Sequence, residues 1–179
     1  MLFRSIPRGR ALGAAWYQPE ERQITTVEQL FEEMCSTLGG RASEELTFQT
    51  ISTGALNDLE RVTKQAYAMV SYYGMGRQLG NMSFFDSSGQ SEYAFTKPYS
   101  DKTSEAIDKE AFDLVDKAYS RAKEILIQHK EGLSQLAELL LEKEVIFAVD
   151  LERIFGKRPF KKEGDEITEK EPEVASPTE

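Results

Sequence analysis

Between Ala55 and Tyr73, apolar side chains recur at intervals of three and four residues: Ala55, Leu59, Val62, Ala66, Met69 and Tyr73. On a helix turning about 100° per residue these positions stack into one stripe, whereas a strand would alternate faces every second residue. The same period returns in Val27, Leu30, Met34 and Leu38, and again in Ile107, Ala111, Leu114, Ala118 and Ile125. The pattern predicts a mainly α fold. At 179 residues the chain can bury one core but is short for two full domains.

Local signals set the expected helix ends. Thr25 followed by Glu28 reads as a capping box, and the first stripe should halt at Gly39-Gly40, with a turn or two of helix continuing over residues 41 to 46. Ser52-Thr53-Gly54 offers an N-cap for the helix that follows, which should run to about Tyr73 and end at Gly74 and Gly76. Ser100-Asp101 caps a long helix, a break falls near Gly132, and Leu133, Leu136 and Leu140 begin another helix. A last short helix over residues 151 to 155 stops at Gly156.

The remaining segments read differently. Residues 1 to 24 look extended, with turn chemistry in IPRGR and a small-residue strand over residues 11 to 17 closed by Pro19. Gly13 in that strand suggests close approach by another backbone. Either an edge strand captures an extended peptide there, or a short hairpin packs on helices. Residues 77 to 99 read as a loop with short extended pieces. Beyond Pro159 the composition of Lys, Glu, Pro, Ser and Thr predicts disorder. The expected organisation is one domain over residues 1 to 160 and a charged tail over 161 to 179, with no internal repeat.

Charge and cysteine usage exclude several functions. The net charge of −9, from 31 acidic and 22 basic residues, argues against nucleic acid as a partner. Cys35 is the one cysteine, so neither an intrachain disulfide nor a thiolate metal cluster can form, and a buried Cys acting as a small hydrophobe is expected. No run of about 18 apolar residues is present, and the N-terminus lacks the apolar region of a signal peptide. The chain by itself is expected to be soluble.

Asp58 stands on the flank of the apolar stripe, four residues before Val62, while Glu60 and Lys64 lie opposite as an i,i+4 pair facing water. A half-buried carboxylate needs hydrogen bonds, a cation or a metal, because leaving it charged and unpaired costs several kcal/mol. Two readings stay open on pattern alone. Asp58 either answers the free N–H groups and positive dipole end of its helix, or it ligates a cation.

IPRGRALG at residues 6 to 13, CSTLGGRASEEL at 35 to 46, STGALNDLERVTKQAYAMV at 52 to 70, YYGMGRQLG at 72 to 80 and LLEKEVI at 140 to 146 resemble the peptidase region of FtsH-type ATP-dependent zinc metalloproteases. The resemblance is collinear from about residue 6 to 160. It implies a mostly helical zincin with a small N-terminal β hairpin or edge strand. It also implies a helix carrying H-E-x-x-H, which supplies two zinc histidines and the catalytic Glu, and a third zinc ligand in the motif that here reads TGALNDLE, at Asp58.

Other features depart from that pattern. The 179 residues contain one histidine, His129 in IQHKEG, and therefore no H-E-x-x-H. His129 is expected to be an exposed helix-terminal residue favoured by the dipole. Glu44 and Glu45, adjacent on a helix, point about 100° apart and cannot easily meet one ion. Either could orient a ligand histidine without itself touching the metal, or both could be a solvated helix end. Gln49 stands where the family commonly has Gly, so a local change in the turn before the Asp58 helix is expected.

The resemblance places the histidine helix immediately before this chain's first residues. Leu2-Phe3-Arg4-Ser5 departs from the hydrophobic strand expected ahead of IPRG and matches the translation of a common sequencing-adapter end, CTCTTCCGATCT, so a truncated reading frame is expected. For the complete protein, the resemblance implies Zn2+, an upstream ATPase using ATP and Mg2+, and unfolded polypeptide substrates. It further implies a homo-hexamer and a membrane anchor with the peptidase domain on the cytoplasmic side. The fragment alone should bind zinc weakly and cleave nothing. Alternatives are a metal-free structural subunit of an FtsH-like hexamer and a free-standing acidic helical interaction module.

Overall fold

Thr26, rather than Thr25, opens the first helix, α1 (Val27–Phe48): its hydroxyl accepts the Gln29 N–H at 3.3 Å and Gln29 returns its side-chain oxygen to the Thr26 N–H at 3.0 Å. The box therefore forms one residue later than expected, where the third helical position carries a side chain that can reach back. A computed structural model describes residues 2–4, 14–16, 24–84 and 99–157. Gly39-Gly40 does not stop α1, which runs through both glycines to Phe48. Each glycine costs a helix about 1 kcal/mol, but Met34, Leu38 and Ala42 on either side are buried and hold the helix together.

Gln49 ends α1 in the left-handed region, at φ 55 and ψ 24, with its N–H bonded to the Glu45 carbonyl. Ser52 caps a 3-10 turn, Thr53–Ala55, rather than the α-helix itself, and α2 (Leu56–Ser71) follows directly. Gly74 then takes φ 63, close behind the end of α2. At Gly76 a Cβ would meet the Glu110 carboxylate at 2.9 Å. That carboxylate accepts the Arg77 N–H and, at 3.3 Å, the Gln78 N–H, so a side chain at residue 76 would make the Glu110 carboxylate shift from this position.

Ser100 caps α3 (Asp101–Gln128), as the sequence suggests, by accepting the Thr103 N–H at 3.2 Å. The break that follows falls at His129 instead of Gly132, and α4 (Lys130–Lys143) contains Gly132 in its first turn. The last helix, α5 (Ala148–Phe155), stops at Gly156 with φ 81.

The chain divides into two compact units, one comprising Met1–Gln18 with Gln135–Glu179, the other Pro19–Ser134. In the larger unit α1, α2 and α3 share one core. Met34 and Leu38 of α1, Val62, Ala66 and Met69 of α2, and Ile107, Ala111 and Ala118 of α3 are all 2% exposed or less. Alanines at three of these positions let the helices approach closely. The expected stripes are thus the core. At their ends, however, Tyr73 is 61% and Ile125 39% exposed. Across the helices Arg61 bonds Glu33, and Tyr67 donates to Asp108 at 2.9 Å.

The smaller unit holds a three-stranded sheet of order β2-β1-β3, with β1 (Leu2–Arg4) antiparallel to both β2 (Ala14–Trp16) and β3 (Val145–Phe147). The first residues therefore form a strand despite their departure from the expected hydrophobic sequence, since the ladder uses main-chain groups of any residue but proline. Asp150 of α5 accepts Lys143 Nζ at 2.8 Å and the Phe147 N–H at 3.2 Å. These bonds, Lys143 first, hold its carboxyl below the usual range.

The fold is mainly helical. The turn at IPRGR, Gly13 and the tail beyond residue 159 lie outside the described residues, as does most of the 77–99 loop. Within the described part of that loop, the Phe84 N–H bonds to the Ser71 carbonyl at 2.7 Å and its ring meets Tyr99 edge-on at 5.1 Å.

Candidate functional site

Asp58 is the third residue of α2 and stands at a concavity of about 330 Å3 formed where α1, the 3-10 turn and α2 converge. Arg41, Ser43, Glu44 and Phe48 line it from α1, and Ser52 and Gly54 from the turn. The expectation of a half-buried carboxylate is corrected here: Asp58 is exposed. A position on the flank of a stripe at the helix start falls beyond the reach of the neighbouring helices, which close over Val62 one turn later. Among the described residues no hydrogen bond or ion pair engages Asp58. Its place in the first turn fits the dipole reading, and its exposure leaves the carboxylate accessible to a cation.

The Glu44 and Glu45 side chains diverge as adjacent helical residues must, and neither is a freely solvated end. Glu44 Oε2 accepts the Ser52 N–H at 2.8 Å, while the Ser52 hydroxyl accepts the Gly54 N–H at 3.2 Å. The Ser52 hydroxyl and N–H, in that order, hold the Glu44 carboxyl below the usual range. Glu45 turns to α3, where it accepts the Tyr119 hydroxyl and Lys123 Nζ at 3.4 Å, with the Lys123 ammonium 4.8 Å from the Tyr119 ring centre. The Tyr119 bond is the chief cause that lowers the Glu45 carboxyl. Burial, and then the bond to Glu45, pushes the Tyr119 phenol up to about 12.

The rest of the site inventory lies elsewhere. His129 is exposed at the C-cap of α3, as expected, and no second histidine exists to join it. Cys35 is 6% exposed in the core, where burial raises its thiol pKa, as befits a small hydrophobe. Glu60 and Lys64 form the expected surface pair at 2.5 Å.

Zinc can be tested against these donors. Asp58 offers an accessible anionic oxygen, which suits zinc, but among the described residues no group of three or more His, Cys, Asp or Glu side chains could hold a metal. These residues supply one ligand and not a complete site. Sequence reasoning missed the Glu44–Ser52 contact. It also missed the apolar rim beside Asp58, where Phe48 and Leu56 are each 70% exposed. The eight-residue spacing from Glu44 to Ser52 carries no local signal, since it spans a turn whose shape depends on Gln49.

Comparison with known proteins supplies the context for this constellation. The model of Peptidase family M41 matches residues 4–154. The chain is similar to the ATP-dependent zinc metalloprotease FtsH of Parabacteroides distasonis, with 60% identity over 164 residues, covering 92% of this chain and 24% of that protein. It is 55% identical over 148 residues to the ATP-dependent zinc metalloprotease FtsH of Karelsulcia muelleri, covering 83% of this chain and 24% of that one. It is 48% identical over 182 residues to ATP-dependent zinc metalloprotease FTSH 10, mitochondrial, of Arabidopsis thaliana, covering 96% of this chain and 22% of that one. The chain thus spans about a quarter of the length of the curated relatives it matches. Among the described residues no helix is long and apolar enough to cross a membrane. With a family match over most of its length and ordered motifs within it, the chain belongs to peptidase family M41, the FtsH-type metalloproteases.

Proposed function

We propose that this chain is the C-terminal peptidase portion of an ATP-dependent zinc metalloendopeptidase that degrades unfolded or membrane proteins, and that Asp58 contributes one ligand to its zinc. The observation that carries the reading is the placement of TGALNDLE: it sets Asp58 in the first turn of α2, accessible and without a partner among the described residues, at a concavity. The remaining ligands and the catalytic Glu come from an H-E-x-x-H helix outside these residues. Zinc, when bound by such a set, acts as a Lewis acid and lowers the pKa of a bound water. Asp58 holds and charges its side of the site, while α2, anchored in the core through Val62 and Met69, keeps it in place.

In this reading the complete protein is a membrane-anchored homo-hexamer with the peptidase on the cytoplasmic side, fed with unfolded chains by an upstream ATPase that uses ATP and Mg2+. Residues 1 to 160 form part of its peptidase domain, and the isolated chain is inactive. The test is the nucleotide sequence upstream of Met1. A continuous frame encoding H-E-x-x-H and a Walker A loop is expected. An intact upstream frame lacking the histidines would instead make the protein a metal-free structural subunit, and a promoter and true start at Met1 would refute the enzyme reading.

A further inference from the structure

We propose that Glu44 is a positioning residue for Asp58: it anchors the turn from which α2 starts and so fixes where the Asp58 carboxylate stands. The inference rests on the reading of Asp58 as a metal ligand.

No side chain caps the start of α2. Ala55 occupies its N-cap position and makes no side-chain cap bond. A helix start without a side-chain cap leaves its first N–H groups to other partners, so its first turn is less firmly held than the turns packed in the core. Here the preceding 3-10 turn runs straight into α2, with the Leu56 N–H bonded to the Thr53 carbonyl. That turn is itself capped by Ser52, whose hydroxyl accepts the Gly54 N–H.

Among the described residues, the Glu44 side chain ties Ser52 to α1 by accepting the Ser52 N–H at 2.8 Å. Besides the packing of α1 on α2 in the core, a polar route thus runs from α1 to Asp58 through a carboxylate, a serine, one 3-10 turn and the first turn of α2. Glu44 and Asp58 line the same concavity. Glu44 Oε2 serves Ser52 and so ties the turn that presents Asp58 to α1. Outer partners that orient a metal ligand typically change metal affinity about 10- to 100-fold when removed.

The test uses the full-length protease that carries this segment, loaded with Zn2+ or Co2+, alongside amide exchange on the 179-residue chain itself. In Glu44→Ala the zinc dissociation constant should rise about 10- to 100-fold and the visible Co2+ spectrum should shift. In the chain, amides in the first turn of α2 should exchange faster while those of α3 keep their protection. Glu44→Gln, whose amide oxygen can still accept the Ser52 N–H, should restore most of the affinity.

A lower melting temperature with unchanged zinc affinity and Co2+ spectrum overturns the proposal, reducing Glu44 to a structural contact. If Glu44→Ala does not fold, Glu44→Asp decides, because its shorter side chain withdraws the carboxylate from the Ser52 N–H, and wild-type zinc affinity and Co2+ spectrum in that variant overturn it equally. The underlying reading fails separately: zinc retained in Asp58→Ala removes the ligand, and the positioning role with it.

Discussion

The two ends of α2 meet different surroundings. Val62 and Ala66 are fully buried and Met69 is 2% exposed, sealed between α1 and α3, whereas Leu56 is 70% exposed and Asp58 faces solvent beside it. The later turns are held by apolar contacts from two helices. The first turn is held by a short polar chain from Glu44 through Ser52. A change in the packed part should therefore register as stability, and a change in the polar part as geometry at Asp58.

The largest expected effect tests the packed part. Leu38 is 1% exposed and lies in the same core as Val62 and Met69. Leu38→Ala should cost about 3 kcal/mol, read from the midpoint of denaturant unfolding. A loss below about 1 kcal/mol would show that the three helices do not share one cooperative core.

A smaller effect of opposite sign is expected where α1 turns toward the site. Gln49 holds φ 55, a left-handed conformation that costs a residue with a side chain about 1 kcal/mol relative to glycine. Gln49→Gly should raise stability by about that much, less the entropy it adds to the unfolded chain. Destabilisation instead would mean that the Gln49 side chain contributes to the turn.

Glu44 and Glu45 sharpen the comparison through pH. The Glu45 carboxyl lies below its ordinary value of 4.5 in the fold, chiefly through the Tyr119 hydroxyl. A depressed folded pKa gives stability that is present above the unfolded value and is lost as pH falls through the folded one. Glu45→Gln should be less stable than wild type near neutrality and lose less on acidification below about pH 4.5. Parallel curves for the two proteins would refute a role for this carboxylate in acid sensitivity. The phenol of Tyr119 acts at the other extreme. Its raised pKa gives stability that is complete below its ordinary value of 10 and disappears as pH climbs toward about 12.

The smallest effect is expected at His129. It is exposed at the end of α3, so His129→Gln should change stability by less than about 0.5 kcal/mol and leave zinc content unaltered. Loss of zinc in that variant would place the histidine in a metal site after all.

Helices were legible in the sequence wherever burial repeats locally. Val62, Ala66 and Met69, or Ile107, Ala111 and Ala118, mark their own faces at the helical period. Ends were less legible because neighbouring signals compete. Thr25 and Thr26 both offer a hydroxyl, and the one whose third successor can reach back wins. Gly39-Gly40 reads as a stop until the buried residues on both sides are counted. The site divides the same way. TGALNDLE locates Asp58, but the resemblance and not the periodicity assigns its role. Its exposure and the Glu44–Ser52 tether depend on where three helices end relative to one another, which no local spacing encodes.

The central claim is that α2 presents Asp58 as a zinc ligand. Zinc content per subunit, measured by atomic spectroscopy on the full-length protease and its Asp58→Ala variant at equal folded fraction, tests it most directly. The account predicts that the variant loses its zinc while the α1–α2–α3 core keeps its unfolding midpoint. Full zinc occupancy in the variant would contradict it.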